Sequence, residues 1–140
     1  MPRIAYVSCG LTELDLKPVK DICQFLVTAS CNIEWAPHPA YWEFYRNLES
    51  AIERCDAFIA VFGRERECST WLAHEFDYAL TLRRHRFRQR PIIFGVHING
   101  CNIPGAYRQA EGEIEWLSRP EDYPMLLNVS PRSDYTSLTD

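Results

Sequence analysis

The sequence lacks the cysteine and histidine spacings that would indicate a metal site or a disulfide framework. Its six cysteines include no C-x-x-C pair, and none has a histidine partner at metal-ligand spacing. Most of them stand beside apolar residues, where a free thiol behaves as a small hydrophobic group. We therefore expect reduced cysteines, no bound metal and a cytoplasmic location. The cysteines are Cys9, Cys23, Cys31, Cys55, Cys68 and Cys101.

A strong charge excess and long apolar runs are also missing. The net charge is −4, with 15 basic and 19 acidic side chains, whereas a dedicated nucleic-acid binder is usually strongly basic. The longest apolar stretches, around Ala57–Phe62 and Ile92–Val96, are too short to span a bilayer. No signal-peptide core follows Met1. We expect neither a nucleic-acid partner nor a membrane partner.

The chain contains no internal repeat and no stretch that resembles an interdomain linker. Its 140 residues are close to the commonest size of one domain. We predict a single domain over residues 1–130, followed by a polar, disordered tail over residues 131–140.

Apolar runs typical of strands alternate with helical patterns along the chain. The run Ala57–Phe62 is apolar without alternation, which is typical of a strand buried on both faces. Repeated strand–helix alternation predicts right-handed crossovers and a parallel sheet. The expected fold is α/β, a flavodoxin-like three-layer sandwich with about five parallel strands and helices on both faces. The predicted strands are Ile4–Ser8, Cys31–Trp35, Ala57–Phe62, Ile92–Ile98 and Glu113–Leu117, and the helices begin near Pro18, Tyr41 and Thr70.

In such sheets ligands bind beyond the carboxyl ends of the strands, where the strand order reverses. The loops after the first and third strands should therefore face one crevice. On the helix after the third strand, Trp71, Glu75 and Tyr78 have spacings that put them on one face, while Leu72, Phe76 and Leu80 form the stripe that packs on the sheet. An indole face attracts cations, and a carboxylate can stabilise positive charge on a ribose carbon. Glu75 is the candidate catalytic residue.

This arrangement resembles the TIR (Toll/interleukin-1 receptor) domain family. The segment Ser69-Thr70-Trp71 followed by Glu75 is similar to the family's Ser-x-Trp-x-x-x-Glu pattern, and Ile4–Ser8 is similar to its first motif. The segments Ile33–Trp35 and Trp42–Asp56 resemble its second strand and second helix, so that the resemblance covers roughly residues 4–98.

The resemblance implies an activity and a set of site residues. Enzymatic TIR domains hydrolyse NAD, releasing nicotinamide and ADP-ribose or a cyclic variant, and their catalytic glutamate corresponds to Glu75. It also implies self-association and a role in immune or defence signalling, with NAD as substrate and no cofactor. The candidate substrate-binding residues are Ser8, Cys9, Gly10, Leu11, Trp42, Gly63 and Trp71.

Two alternatives remain open. Asp56 and Ala60, followed by Glu75, Tyr78 and Ala79, are similar to the pattern of nucleoside 2-deoxyribosyltransferases, which also have a flavodoxin-like fold and a glutamate that attacks an anomeric carbon. A non-catalytic TIR module that only binds other TIR domains is the other alternative. A response regulator is disfavoured because the third strand ends in Phe62 and Gly63 rather than in aspartate.

The basic run Arg83–Arg90 is the remaining unusual feature of the sequence. Cations are favoured at a helix C-terminus, and the run lies at the opposite end of its helix from Glu75. We interpret it as a solvated helix end, and the four histidines as structural residues.

Overall fold

The computed structural model describes residues 3–8, 17–34, 44–62, 70–85, 90–97, 111–117 and 119–129. The strands are β1 (Ile4–Ser8), β2 (Asn32–Glu34), β3 (Ala57–Phe62), β4 (Ile92–His97) and β5 (Ile114–Leu117). The helices are α1 (Lys17–Thr28), α2 (Phe44–Arg54) and α3 (Thr70–Arg84), with a 3₁₀ turn at Glu111–Glu113 and a C-terminal 3₁₀ segment at Pro120–Asn128. In these segments no helix is long and apolar enough to cross a membrane.

The five strands form one sheet in the order β2-β1-β3-β4-β5, and every neighbouring pair is parallel. One face packs against α1 and the C-terminal 3₁₀ segment, and the other packs against α2 and α3. The predicted flavodoxin-like sandwich is therefore confirmed. The strand order reverses between β1 and β3, the place where ligands bind in this fold.

β3 is the central strand, and all six of its side chains are buried. Because both faces of β3 are covered by helical layers, its residues need no polar side. Ala57, Ile59 and Val61 belong to the core beneath α1, whereas Phe58, Ala60 and Phe62 belong to the core beneath α2 and α3. The alternation of the pleat thus divides one apolar run between two cores.

Two strand ends differ by one residue from the prediction. Cys31 is not in β2, because its backbone N–H donates to the carbonyl of Leu26 at 2.9 Å and completes the end of α1. The turn is closed by Ser30 in the left-handed region, with φ 64, a conformation common just after a helix. Glu113 belongs to a 3₁₀ turn, so β5 begins at Ile114. Trp35, residues 41–43, Ile98 and the predicted tail 131–140 lie outside the described residues.

Two arginines of the basic run form ion pairs. Arg84 is exposed at the end of α3, whereas Arg90 lies beyond the helix and is partly buried, so the prediction of a solvated helix end is wrong for Arg90. Arg84 makes a two-pronged ion pair with Glu113, with Nε at 2.9 Å from Oε2. Arg90 Nη1 lies 3.2 Å from Oδ1 of Asp56, which is buried at the amino end of β3. Asp56 Oδ2 also accepts from the backbone N–H of Ile4 at 2.9 Å. A buried carboxylate needs such partners. The backbone carbonyl of Asp56 also accepts from the N–H of Ile92 at 3.1 Å, so Asp56 joins β3 to β1 and to the start of β4.

A row of small residues lets α3 and an indole lie close to the sheet. Ser8, Ala60, Gly95 and Trp116 are in register across β1, β3, β4 and β5. A Cβ at Gly95 would lie 2.5 Å from Cζ3 of Trp116. The indole thus covers Gly95 and tilts against the ring of Phe62 at a centroid distance of 5.8 Å.

The variant Gly95→Ala should lower the free energy of unfolding by about 1–3 kcal/mol, because the added methyl group must displace the indole of a packed core. Urea denaturation measures the change. Gly112→Ala is the matched control, since a Cβ there would meet no atom within 4 Å. Equal stability of the two variants would contradict the close packing of Trp116 on Gly95.

Candidate active site

Glu75 is a buried acidic residue in the second turn of α3. Only 1% of its surface is exposed, as for the neighbouring core residue Phe76. Glutamate is almost never buried to this extent without partners, because the ionised form loses its hydration. The position of this side chain therefore depends on the polar groups around it.

Two hydroxyl groups of β1 supply those partners. Ser8 Oγ donates to Oε1 of Glu75 at 2.8 Å, and the phenol of Tyr6 donates to Oε2. Residues two apart in a strand point to the same face of the sheet, so that β1 presents both hydroxyls to the layer that contains α3. From these two described residues, each carboxylate oxygen receives one hydrogen bond.

Tyr6 is itself held rigidly. Its side chain is completely buried, and its ring stacks on Phe58 of β3 with a centroid distance of 5.6 Å and an interplanar angle of 5°. A stacked, fully buried ring has little freedom to turn. The phenol is thus fixed in place by the core around it.

Burial raises the pKa of Glu75 from 4.5 to about 7, and the hydrogen bonds from Tyr6 and Ser8 act in the opposite direction. Near neutral pH the site therefore contains both forms of the carboxyl group. The ionised form can stabilise or attack an electron-poor carbon, and the protonated form can donate a proton. Carboxyl groups with such pKa values are concentrated at active sites.

The site lies at the carboxyl end of the sheet. Ser8 is the last residue of β1 and pairs with Ala60 near the end of β3. By contrast, Asp56 lies at the amino end of β3, about four residues or ~13 Å away along the strand, and both its oxygens are engaged there. Asp56, the aspartate of the deoxyribosyltransferase-like pattern, is thus a structural residue at the amino end of the sheet, away from Glu75.

The structure brings together two of the predicted site residues, Glu75 and Ser8. Trp71 is in the first turn of α3, although its side chain is outside the described part of the chain. The remaining predicted substrate-binding residues also lie outside the described residues: Cys9, Gly10, Leu11, Trp42 and Gly63. The roles of all these residues remain predictions.

Tyr78 does not share the surroundings of Glu75, contrary to the prediction from helical spacing. Its phenol donates to the carboxylate of Glu53 on α2. Three residues of helix turn a side chain by about 300°, which leaves it about 60° away from the first residue. That difference is enough to direct Tyr78 to α2 while Glu75 faces β1.

The sequence interpretation missed Tyr6. Two signals could have indicated it: Tyr6 and Ser8 share a strand face, and a tyrosine in a buried strand requires a partner for its hydroxyl.

No family model matches the chain, and no curated protein matches it. Among solved structures, a CMP N-glycosidase of Clostridium botulinum, BcmB, is similar with a TM-score of 0.63 and 14% identity, covering 91% of this chain and 100% of that one. The constitutive lysine decarboxylase of E. coli has a TM-score of 0.50 and 12% identity, covering 92% of this chain and 16% of that one. At such identities the similarity shows the fold alone. Neither protein is a TIR domain, and the TIR resemblance stays a prediction.

The variant Glu75→Gln should be more stable than the wild type at pH 8.5, with a smaller advantage at pH 4.5. A folded-state pKa raised above the unfolded value gives stability that is present below about pH 4.5 and is lost as the pH rises through about 7. The difference between the two proteins should change by up to about 3 kcal/mol over this range.

Urea denaturation at several pH values measures this difference. The matched control is Glu121→Gln, at an exposed glutamate of the C-terminal 3₁₀ segment. A stability difference between Glu75→Gln and the wild type that does not depend on pH would show that burial imposes no penalty on the ionised carboxylate.

Proposed function

We propose that the protein cleaves the N-glycosidic bond of a nucleoside or nucleotide, with Glu75 acting on the anomeric carbon. The observation that carries this proposal is the buried carboxylate of Glu75, held by Tyr6 and Ser8 at the carboxyl end of β1. The fold similarity to a CMP N-glycosidase over that enzyme's whole length supports the same class of reaction.

The chemistry follows from the charge that develops at the anomeric carbon. As the C1′–N bond breaks, its electron pair leaves with the base and the sugar carbon becomes positive. An ionised carboxylate in a water-poor site stabilises this charge far better than one in water. Glu75 then forms an ester bond to C1′ in place of the departed base. Water attacks C1′ and breaks that bond, which frees the carboxylate and releases the sugar with a new hydroxyl group and one proton. A pyrimidine that left with the electron pair takes up a proton, whereas nicotinamide leaves as a neutral molecule.

The two hydroxyls prepare Glu75 for this role. Their hydrogen bonds favour the ionised form against the effect of burial. They also fix the direction of both oxygens, because Tyr6 is packed on Phe58 and Ser8 is the last residue of a paired strand. The carboxylate therefore needs little rearrangement at the moment of reaction.

Two substrates follow from separate observations. A pyrimidine nucleoside monophosphate is the first candidate. The similar solved structure, whose whole chain is covered by the similarity, is a CMP N-glycosidase. NAD is the second candidate, because Trp71 and Glu75 are one helical turn apart on α3, as in the pattern shared with TIR domains. In both substrates the bond that breaks joins a base nitrogen to ribose C1′.

The wild-type protein should release a free base from at least one member of a panel containing CMP, dCMP, cytidine and NAD, monitored by chromatography. Glu75→Gln should reduce that rate by about a thousandfold or more, because the carbocation-like transition state loses its counter-charge. Glu121→Gln should retain full activity. Absence of base release from the whole panel at high protein concentration, or an active Glu75→Gln variant, would overturn the proposal and favour a non-catalytic binding module.

The pH dependence gives a separate prediction. The reaction requires ionised Glu75, so kcat/KM should rise as the pH increases through about 7. Tyr6→Phe and Ser8→Ala each remove a hydrogen bond that lowers the pKa of Glu75, and each should move the rising limb to higher pH. Tyr123→Phe, at a buried tyrosine on the other face of the sheet, is the control. If the rising limb of kcat/KM lies at the same pH in Tyr6→Phe as in the wild type, the Tyr6 phenol does not control the ionisation of Glu75.

A further inference from the structure

The interface between α2 and α3 contains two side-chain pairs that we call the interhelical ladder. Glu49 Oε2 lies 3.7 Å from Nε2 of His74, and the phenol of Tyr78 donates to Oε2 of Glu53. The members on each helix are four residues apart and thus lie one turn from each other on the same face. Both helices return from the carboxyl end of the sheet to the amino end, so that the pairs repeat in parallel.

The two pairs differ in strength. The side chains of His74 and Glu49 are 38% and 40% exposed, and their separation exceeds a hydrogen bond. A pair of this kind contributes little. The Tyr78–Glu53 pair is partly buried and is a direct hydrogen bond to a carboxylate, a class of contact roughly twice as strong as a bond between neutral groups. The Tyr78–Glu53 pair is therefore the one that can fix the position of α3 against α2.

Glu75 lies on α3 between the two pairs and depends on the rotation of the helix. A side chain extends about 5–6 Å from the helix axis, so that a rotation of about 10° moves its end by about 1 Å. Such a shift would lengthen the 2.8 Å bond from Ser8 beyond hydrogen-bonding range. The apolar contacts of Phe76, Ala79 and Leu80 are non-directional and tolerate a small rotation. A directional contact on another side of the helix removes that freedom.

We propose that Tyr78 and Glu53 are positioning residues, whose hydrogen bond fixes the rotation of α3 on α2 so that the Glu75 carboxylate meets Tyr6 and Ser8. The significance of this positioning for catalysis rests on the proposed function. The geometry itself does not, because it concerns contacts inside the folded chain.

The geometric claim is tested without substrate. For each of several backgrounds, the free energy of unfolding is measured from pH 4 to 10 with glutamate at position 75 and with the substitution Glu75→Gln. The difference between the two proteins is then followed as a function of pH. The upper midpoint of its pH dependence reports the titration of Glu75 in the folded state. The backgrounds are wild type, Tyr78→Phe, Glu53→Ala and Glu53→Gln. Tyr123→Phe is the matched control, because it removes a phenol hydroxyl on the other face of the sheet.

Tyr78→Phe and Glu53→Ala should each raise this midpoint by about half a unit or more, because the bonds from Tyr6 and Ser8 that lower it are weakened while the carboxyl group stays buried. Glu53→Gln, which retains an acceptor oxygen for Tyr78, should restore the wild-type midpoint, and Tyr123→Phe should leave it unchanged. An unchanged or lowered midpoint in the first two variants would overturn the positioning role. If Tyr78→Phe does not fold, Glu53→Ala at a half-buried position decides the question alone.

A second readout separates positioning from catalysis. With whichever substrate the wild type cleaves, Tyr78→Phe should lower kcat by about tenfold or more with little change in KM, since a misplaced carboxylate affects the transition state more than substrate binding. Glu53→Gln should restore kcat, and unaltered kcat in Tyr78→Phe would contradict the role. If no substrate is cleaved, the proposed function fails while the titration still decides the geometry.

Discussion

The hydrogen bonds from β1 to Glu75 are the contacts on which the rest of the site depends. Removing an ionised carboxylate from water costs several kcal/mol, and each hydrogen bond to a charged group returns about 1.5–3 kcal/mol. Two such bonds therefore offset much of the cost but not all of it. The remainder is visible as the pKa of Glu75, which stays near 7 despite both donors. The fold thus tolerates an acid that is only partly compensated.

Several ordinary features of the fold serve this one contact. Ala60 and Gly95 lie in the same row as Ser8, and because their side chains are small or absent, α3 can pack close to the sheet. Ala79 of α3 belongs to the same core. Phe58 keeps the ring of Tyr6 in place by stacking. Because helix and strand approach closely, short hydroxyl side chains on β1 can reach a carboxylate on α3. A larger residue in this row would separate the donors from the acceptor.

The two buried acids of the described chain illustrate the difference between a structural and a functional carboxylate. Asp56 is paired with the guanidinium of Arg90 and with a backbone N–H of β1, so its charge is neutralised and it joins three strands. The described partners of Glu75 are hydroxyls, which carry dipoles but no charge. A positive charge that develops close to Glu75 would supply the counter-charge that these described partners do not. The partly compensated carboxylate thus lies at the carboxyl end of the sheet, and the ion-paired one lies at the amino end.

Much of the fold could be predicted from the sequence because its signals are local. The uninterrupted apolar run of β3 indicated a central strand, and the alternation of strands and helices indicated a parallel sheet with a reversal between β1 and β3. The contact between Glu75 and Ser8 followed from that topology. The role of Tyr6 did not, since an isolated tyrosine in an apolar strand is also typical of an ordinary core residue. Tyr78 was placed on the wrong side because helical spacing specifies a face only to within about 60°. The packing of Trp116 on Gly95 depends on the register between β4 and β5, which no single segment encodes.

The two substrates of the proposed function, a pyrimidine nucleotide and NAD, share one requirement, a carboxylate facing the anomeric carbon of a ribose. They differ in the base that leaves. A pyridinium departs as a neutral molecule and needs no proton, whereas a pyrimidine departs more easily when it is protonated, so the second reaction requires an acid that the first does not. Glu75, Tyr6 and Ser8 lie on a helix and a strand, and these rigid elements provide the feature common to both reactions. The proposed function leaves discrimination between the bases to the predicted substrate-binding residues after β1 and β3, in keeping with the general division in which a rigid scaffold holds the reacting group and the connecting segments select the substrate.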